Sequence, residues 1–305
     1  MTQKVLILGA TGMLGHTLFR DHMEAPGLDV YGTLRPGQDG TRWFDARQQA
    51  RLIADVDGFR PETVQAAIRR LQPDVVINCI GLIKQVEDAA DPAKAIAINA
   101  LLPHLLSGYC HAAGARLIHI STDCVYRGDR GLYRELDPGD AVDLYGQTKY
   151  LGEVKESQAL TLRTSMIGHE LHTYRSLLEW FLRQKGNVPG YTRARFSGLP
   201  TIELSRVIRT FVLPRPQMQG LYHLSAEPID KCSLLQLVSR YYRKPVDIIP
   251  DETVQLDRSL DASRFRQETG YIPDGWPELI ERMAEDYHRS PIYHRGERNY
   301  DLPAR

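Results

Sequence analysis

Lys4-Val5-Leu6-Ile7-Leu8-Gly9-Ala10-Thr11-Gly12-Met13-Leu14-Gly15 decides how this chain folds. Residues 4–8 are nearly all apolar, as a parallel strand covered on both faces requires. A Gly-x-x-Gly-x-x-Gly pattern follows at 9, 12 and 15. The turn needs a residue tolerant of positive φ, the middle glycine lets backbone approach a pyrophosphate, and the last lets the next helix pack on the strand. A helix starting near Met13 would turn its free N–H groups and positive dipole end to the same place. Such a pattern alone often serves only a turn. Between a first strand and a helix it marks a dinucleotide loop of Gly9, Thr11, Gly12, Met13, Leu14 and Gly15.

Outward from this loop, strand-like runs at 30–33, 42–44, 74–79 and 116–121 alternate with helical patterns at 13–23, 61–71 and 91–113. Pro61 and Pro92 sit near helix starts, where a missing N–H costs nothing, and Gly114 closes a helix. This alternation predicts an α/β fold, a Rossmann-type doubly wound parallel sheet. After about residue 162, Gly and Pro punctuate the chain and the rhythm changes. A run at 221–224 is placed to rejoin the sheet, and helical patterns follow at 233–242 and 277–289. The expected division is a dinucleotide-binding domain of 1–162 and 199–225, with a smaller interleaved α-rich substrate-binding region of 163–198 and 226–305. Residues 291–305 read as a surface tail.

Arg35 follows the second strand about twenty residues past the glycine loop, where an acidic residue accepts from the ribose 2′-OH of NAD and an arginine accommodates a 2′-phosphate. Arg35 therefore favours NADP(H), with NAD(H) the other reading because Asp39 is close by. Asp45 and Ala46, after the expected third strand, face an adenine, or Asp45 caps a helix.

Tyr145-Gly146-Gln147-Thr148-Lys149 places Tyr and Lys on one helical face. A phenol titrates near 10, and a neighbouring ammonium lowers that toward a useful acid–base range. Ser121-Thr122-Asp123-Cys124-Val125-Tyr126 ends the strand at 116–121, on the sheet edge where such folds bind ligands. Thr122 can donate to a carbonyl oxygen held near Tyr145, although either hydroxyl taken singly could simply end a strand.

These residues resemble the extended short-chain dehydrogenase/reductase superfamily, and within it the dTDP-4-dehydrorhamnose reductase group of nucleotide-sugar 4-ketoreductases. The resemblance is carried by 121–126, by 145–149 with Gly152-Glu153, by Leu162-Arg163-Thr164-Ser165, by Gly198-Leu199-Pro200-Thr201, and by Arg258-Ser259-Leu260-Asp261 before Trp276. It implies a catalytic triad of Thr122, Tyr145 and Lys149, with Lys149 also on the nicotinamide ribose and Asn99 supporting a water and lysine network. It implies NADP(H)-dependent reduction of a keto group, at C4, of a nucleotide-activated deoxy sugar for surface glycans. Two departures stand out. Cys124 occupies the place where 4,6-dehydratases carry Glu, which argues against dehydration. The stretch Asn78-Cys79-Ile80-Gly81-Leu82-Ile83-Lys84 looks more like enzymes of deoxy amino sugars. Lys84, Thr122, Asp123, Cys124, Arg163 and Arg258 are the expected substrate contacts, though each cation is otherwise a surface charge.

With 38 basic and 38 acidic residues, the formal net charge is zero, so no global field recruits nucleic acid or an anionic membrane. The strand-like run at Lys4 leaves no room for a secretory signal, and no apolar stretch reaches membrane-spanning length. Four scattered cysteines fit a reducing cytoplasm. None of the ten histidines sits in metal-ligand spacing, so no metal is expected. Helices near 92–108 and 145–156 are candidate homodimer faces, or their apolar positions serve the core. Two further readings stay open. One is a 4-epimerase with tightly bound NAD; the other is a non-catalytic NADP-binding regulatory subunit.

Overall fold

The computed structural model describes residues 2–84, 87–155, 158–295, 300 and 302. Seven parallel strands form the main sheet: β1 (Gln3–Leu8), β2 (Leu28–Thr33), β3 (Leu52–Ile53), β4 (Val75–Asn78), β5 (Arg116–Thr122), β6 (Ala159–Thr164) and an edge strand, Gly220–His223. Their order is edge-β6-β5-β4-β1-β2-β3, which reverses direction between β1 and β4. The crevice beyond the strand ends at that reversal is where doubly wound sheets hold ligands. Successive β1 side chains enter two separate cores. Val5 and Ile7 pack with Leu14 and Leu18 of helix α1 (Met13–Met23), while Leu6 and Leu8 pack with Val64, Ile68, Leu102 and Leu106. This two-faced burial is why the run carries no polar alternation.

Two expectations need correction. The third strand is Leu52–Ile53, not 42–44. Gly40–Arg42 form a single 3₁₀ turn, and the aromatics after it serve the core: Phe44 meets Phe19 edge-to-face at 5.3 Å. Burial by packing made an apolar run look like a strand. Residues 291–305 are not simply a surface tail either, because Ile292, Tyr293 and Tyr300 are buried. Residues 296–299, 301 and 303–305 lie outside the described residues, as does Glu156 at the end of a candidate dimer face.

The helical pattern at 91–113 is one rod with a π-turn, Ile96–Leu101, between Pro92–Ala95 and Leu102–Ala112. Pro103 lacks the N–H that would bond Asn99 four residues back, so the ladder loosens there. Gly152 packs on the same Asn99 carbonyl, where an added Cβ would come within 1.9 Å of the oxygen. Among the described residues, no helix is long and apolar enough to cross a membrane.

Candidate active site

The glycine loop has the geometry its spacing predicts. Gly9 sits at φ +80°, and a Cβ on Gly15 would lie 2.0 Å from the Gly9 carbonyl oxygen. Gly9 N–H donates to Thr33 Oγ1 at 3.0 Å, tying the loop to the end of β2. No side chain caps α1 at Gly12, which leaves its first-turn N–H groups for an anion. Thr11 Oγ1 donates to Gln38 Oε1 at 3.0 Å, and the same oxygen accepts the Arg35 N–H at 3.1 Å. Gln38 carries no sequence signal; only the fold shows that it joins the two loops. Arg35 is exposed, and its guanidinium has no ion-pair partner among the described residues. The structure gives Asp45 the capping role: its carboxylate accepts from Gln48 N–H in a capping box on the short helix that Ala46 begins.

The residues expected to react meet at the end of β5. Thr122 Oγ1 accepts from Cys124 N–H at 3.1 Å and donates to Asp123 Oδ1 at 3.2 Å. Tyr145 and Lys149 lie on the helix Leu144–Leu151, capped by Asp143, which accepts from Gly146 N–H at 2.9 Å. A Cβ at Gly146 would lie 2.2 Å from the Cys124 carbonyl oxygen, so only glycine lets this helix settle there. That approach sets the Tyr145 hydroxyl beside Thr122, Asp123 and Cys124.

Lys149 is buried, and Nζ donates to the Ile120 carbonyl at 2.8 Å. Burial lowers its pKa to about 8, against the opposing pull of the Glu153 carboxylate. Tyr145 does not follow the expectation of a lysine-lowered phenol. Burial holds it above its ordinary value, Cys124 adds to the rise, and the neighbouring Thr122 hydroxyl opposes it. The phenol therefore stays protonated through neutral pH, the state of a proton donor. With the Lys149 folded pKa depressed, its ammonium is present below about pH 8 and is lost as pH rises through that value. We expect kcat/KM for a reduction that needs the ammonium to fall above about pH 8. Glu153→Gln should move that limb to lower pH, and a pH–rate profile of both proteins reads it.

The remaining expected contacts separate. Lys84 Nζ stands 5.5 Å from the Tyr145 ring centroid and 2.8 Å from Asp143 Oδ2, at the mouth of the site. Arg258 Nε donates to the Tyr126 carbonyl at 2.7 Å, and its guanidinium lies 3.7 Å from Cys124 Sγ. Asp123 is buried, which raises its carboxyl, with Arg258 pulling it back. Burial pushes the Cys124 thiol up to about 11, so it offers no base at neutral pH. Arg163 needs correction. It is fully buried, with Nε 2.7 Å from Glu153 Oε1 and a terminal nitrogen 2.5 Å from Oε2, and also bonds Tyr126 and His223. Its charge is spent inside the fold, where Glu153 also accepts from Ser121 Oγ at 2.8 Å. Asn99 bonds both backbone groups of Leu82, at 2.9 and 3.0 Å, and approaches Thr148 Oγ1 at 3.4 Å, so its side chain holds the loop after β4. Lys231, at the start of the helix Lys231–Tyr242, was not anticipated. Burial lowers it, while the nearby Asp123 and Cys124 pull the other way.

A Rossmann-type sheet with a glycine loop at one strand end and a hydroxyl–tyrosine–lysine group at another defines a dinucleotide-dependent α/β class. Residues 3–239 match the RmlD substrate binding domain, and the chain belongs to that family. It is 34% identical over 149 residues to dTDP-4-dehydrorhamnose reductase of Streptomyces griseus, covering 48% of this chain and 43% of the relative. It is 31% identical over 154 residues to methionine adenosyltransferase 2 subunit beta of Bos taurus, covering 50% and 42%. The chain thus spans about half the length of the curated relatives it matches. Among solved structures, dTDP-4-dehydrorhamnose reductase from Bacillus anthracis in complex with NADP superposes with a TM-score of 0.77 at 21% identity, over 94% of this chain and all of the other.

Proposed function

We propose that this protein is an NADP(H)-dependent reductase acting on the keto group, at C4, of a nucleotide-activated deoxy sugar in surface-glycan synthesis. The observation that carries the reading is Tyr145 set beside Thr122 at the end of β5, with buried Lys149 one turn on. The uncapped α1, Gly9 at positive φ, Gly15 pressed on the Gly9 carbonyl and the exposed Arg35 fit the phosphates of NADP(H), which would supply the reducing electrons. Thr122 and Tyr145 hold the keto oxygen, and Tyr145 passes its proton to it. Lys149 keeps a positive charge beneath the reacting oxygen and reaches the cofactor ribose. Arg258, Lys84 and Lys231 offer the cations for a diphosphate, beside Asp123 and Cys124. Four free thiols suit a reducing cytoplasm. Ile96, Leu101 and Leu151, all exposed on neighbouring helices, would be covered in a homodimer. No nucleic acid or membrane partner is proposed.

The test is oxidation of NADPH and NADH, followed at 340 nm, with a panel of 4-keto nucleotide sugars. Turnover with NADPH supports the reading. Tight cofactor binding without turnover on any sugar would overturn it in favour of a regulatory subunit; the second relative above is itself named as a subunit. Activity without added cofactor would favour an epimerase. Arg35→Ala should raise the KM for NADPH about tenfold to a hundredfold and leave that for NADH unchanged, since a charge-assisted bond to phosphate is worth about 1.5–3 kcal/mol.

A further inference from the structure

A second line of buried polar atoms runs from the C-terminal segment to the back of the glycine loop. The Gly12 carbonyl accepts twice from one residue, from His16 N–H at 3.0 Å and from His16 Nδ1 at 2.8 Å. A carbonyl cannot donate, so Nδ1 carries a proton; in a neutral imidazole the other nitrogen is then an acceptor. Tyr293 Oη, 3.0 Å from Nε2, is the nearer hydroxyl to meet it, with Thr17 Oγ1 at 3.5 Å. Behind Tyr293, Asp286 Oδ2 lies 3.4 Å from the same hydroxyl and 2.7 Å from an Arg20 nitrogen, and Arg20 spreads over the Tyr293 ring at 5.5 Å. His16 and Tyr293 are 0% and 1% exposed, so solvent does not compete for these bonds. Asp286 and Tyr293 also lie beyond residue 239, where the family match ends.

The Gly12 carbonyl shares one rigid peptide plane with the Met13 N–H, and the two point in opposite directions. A side chain that fixes the carbonyl therefore aims that N–H. We infer that Tyr293, acting through His16, is a positioning residue for the dinucleotide: it holds the Gly12–Met13 peptide so that its N–H faces the pyrophosphate. The C-terminal segment thereby becomes part of the cofactor site without touching the cofactor. This rests on the cofactor reading proposed above.

The experiment is NADPH binding, by fluorescence titration, to the full chain as wild type, Tyr293→Phe and Tyr287→Phe. Tyr287→Phe removes a buried hydroxyl from the same packing but leaves the His16 line intact. We expect Tyr293→Phe to weaken binding about threefold to tenfold, the value of one lost hydrogen bond, with the keto-sugar KM unchanged. Tyr287→Phe should bind as the wild type does, even where both variants melt a few degrees lower. An unchanged Kd in Tyr293→Phe, or an equal loss in Tyr287→Phe, overturns the inference and leaves only packing. If Tyr293→Phe does not fold, His16→Gln is read by the same comparison. Wild type that binds neither NADPH nor NADH overturns the cofactor reading, and the inference with it.

Discussion

Tyr145→Phe should lower kcat for keto-sugar reduction by about two to four orders of magnitude, the usual worth of a positioned acid, while NADPH still binds. The phenyl ring keeps the packing of the helix Leu144–Leu151 on Cys124, so the site keeps its shape. What disappears is the hydroxyl beside Thr122 that burial holds protonated. The stability change should be small, no more than about 1 kcal/mol, the usual worth of one hydrogen bond. Single-turnover kinetics with saturating NADPH separates the chemical step from binding. Turnover near the wild-type rate would mean that another group delivers the proton, and the triad would have to be abandoned.

Arg163→Ala should be the most damaging change to stability, by about 3–5 kcal/mol, because it leaves the Glu153 carboxylate buried without its partner. For a domain stable by about 5–15 kcal/mol this is a large share. Urea denaturation should show the midpoint falling. The double variant Arg163→Met with Glu153→Leu should recover much of the loss, since removing both charges removes the unpaired one. A full-stability Arg163→Ala with a raised keto-sugar KM would return Arg163 to the substrate side. Some loss of activity should accompany the single variant in any case. Glu153 supports Ser121 next to Thr122, and its charge raises Lys149.

Arg163 also shows where reading a sequence stops. It lies near the end of β6 in a motif-rich segment, and nothing in the letters says whether its guanidinium points to the crevice or inward. The partners that bury it come from the turn after β5, the stretch after Lys149 and the edge strand. The third strand failed for a related reason. An Arg-Trp-Phe run is apolar enough for a strand, while the two residues of β3 are too few to leave a period. Gln38 and Lys231 escaped because a glutamine in a loop and a lysine at a helix start carry no pattern. Each gains its place only through a neighbour distant in the chain.

By itself the sequence determined the parallel sheet, its glycine loop and the helical spacing that sets Tyr145 and Lys149 one turn apart. These follow from local rules: apolar runs buried on both faces, glycines where a Cβ has no room, and a fixed helical repeat. Only the tertiary structure decided that Tyr145 reaches Thr122, that Lys149 is buried at a pKa of about 8, and that Tyr293 stands behind the glycine loop. Hydrogen-bond partners and burial depend on which distant segments meet, and a side chain's charge state is set by that meeting.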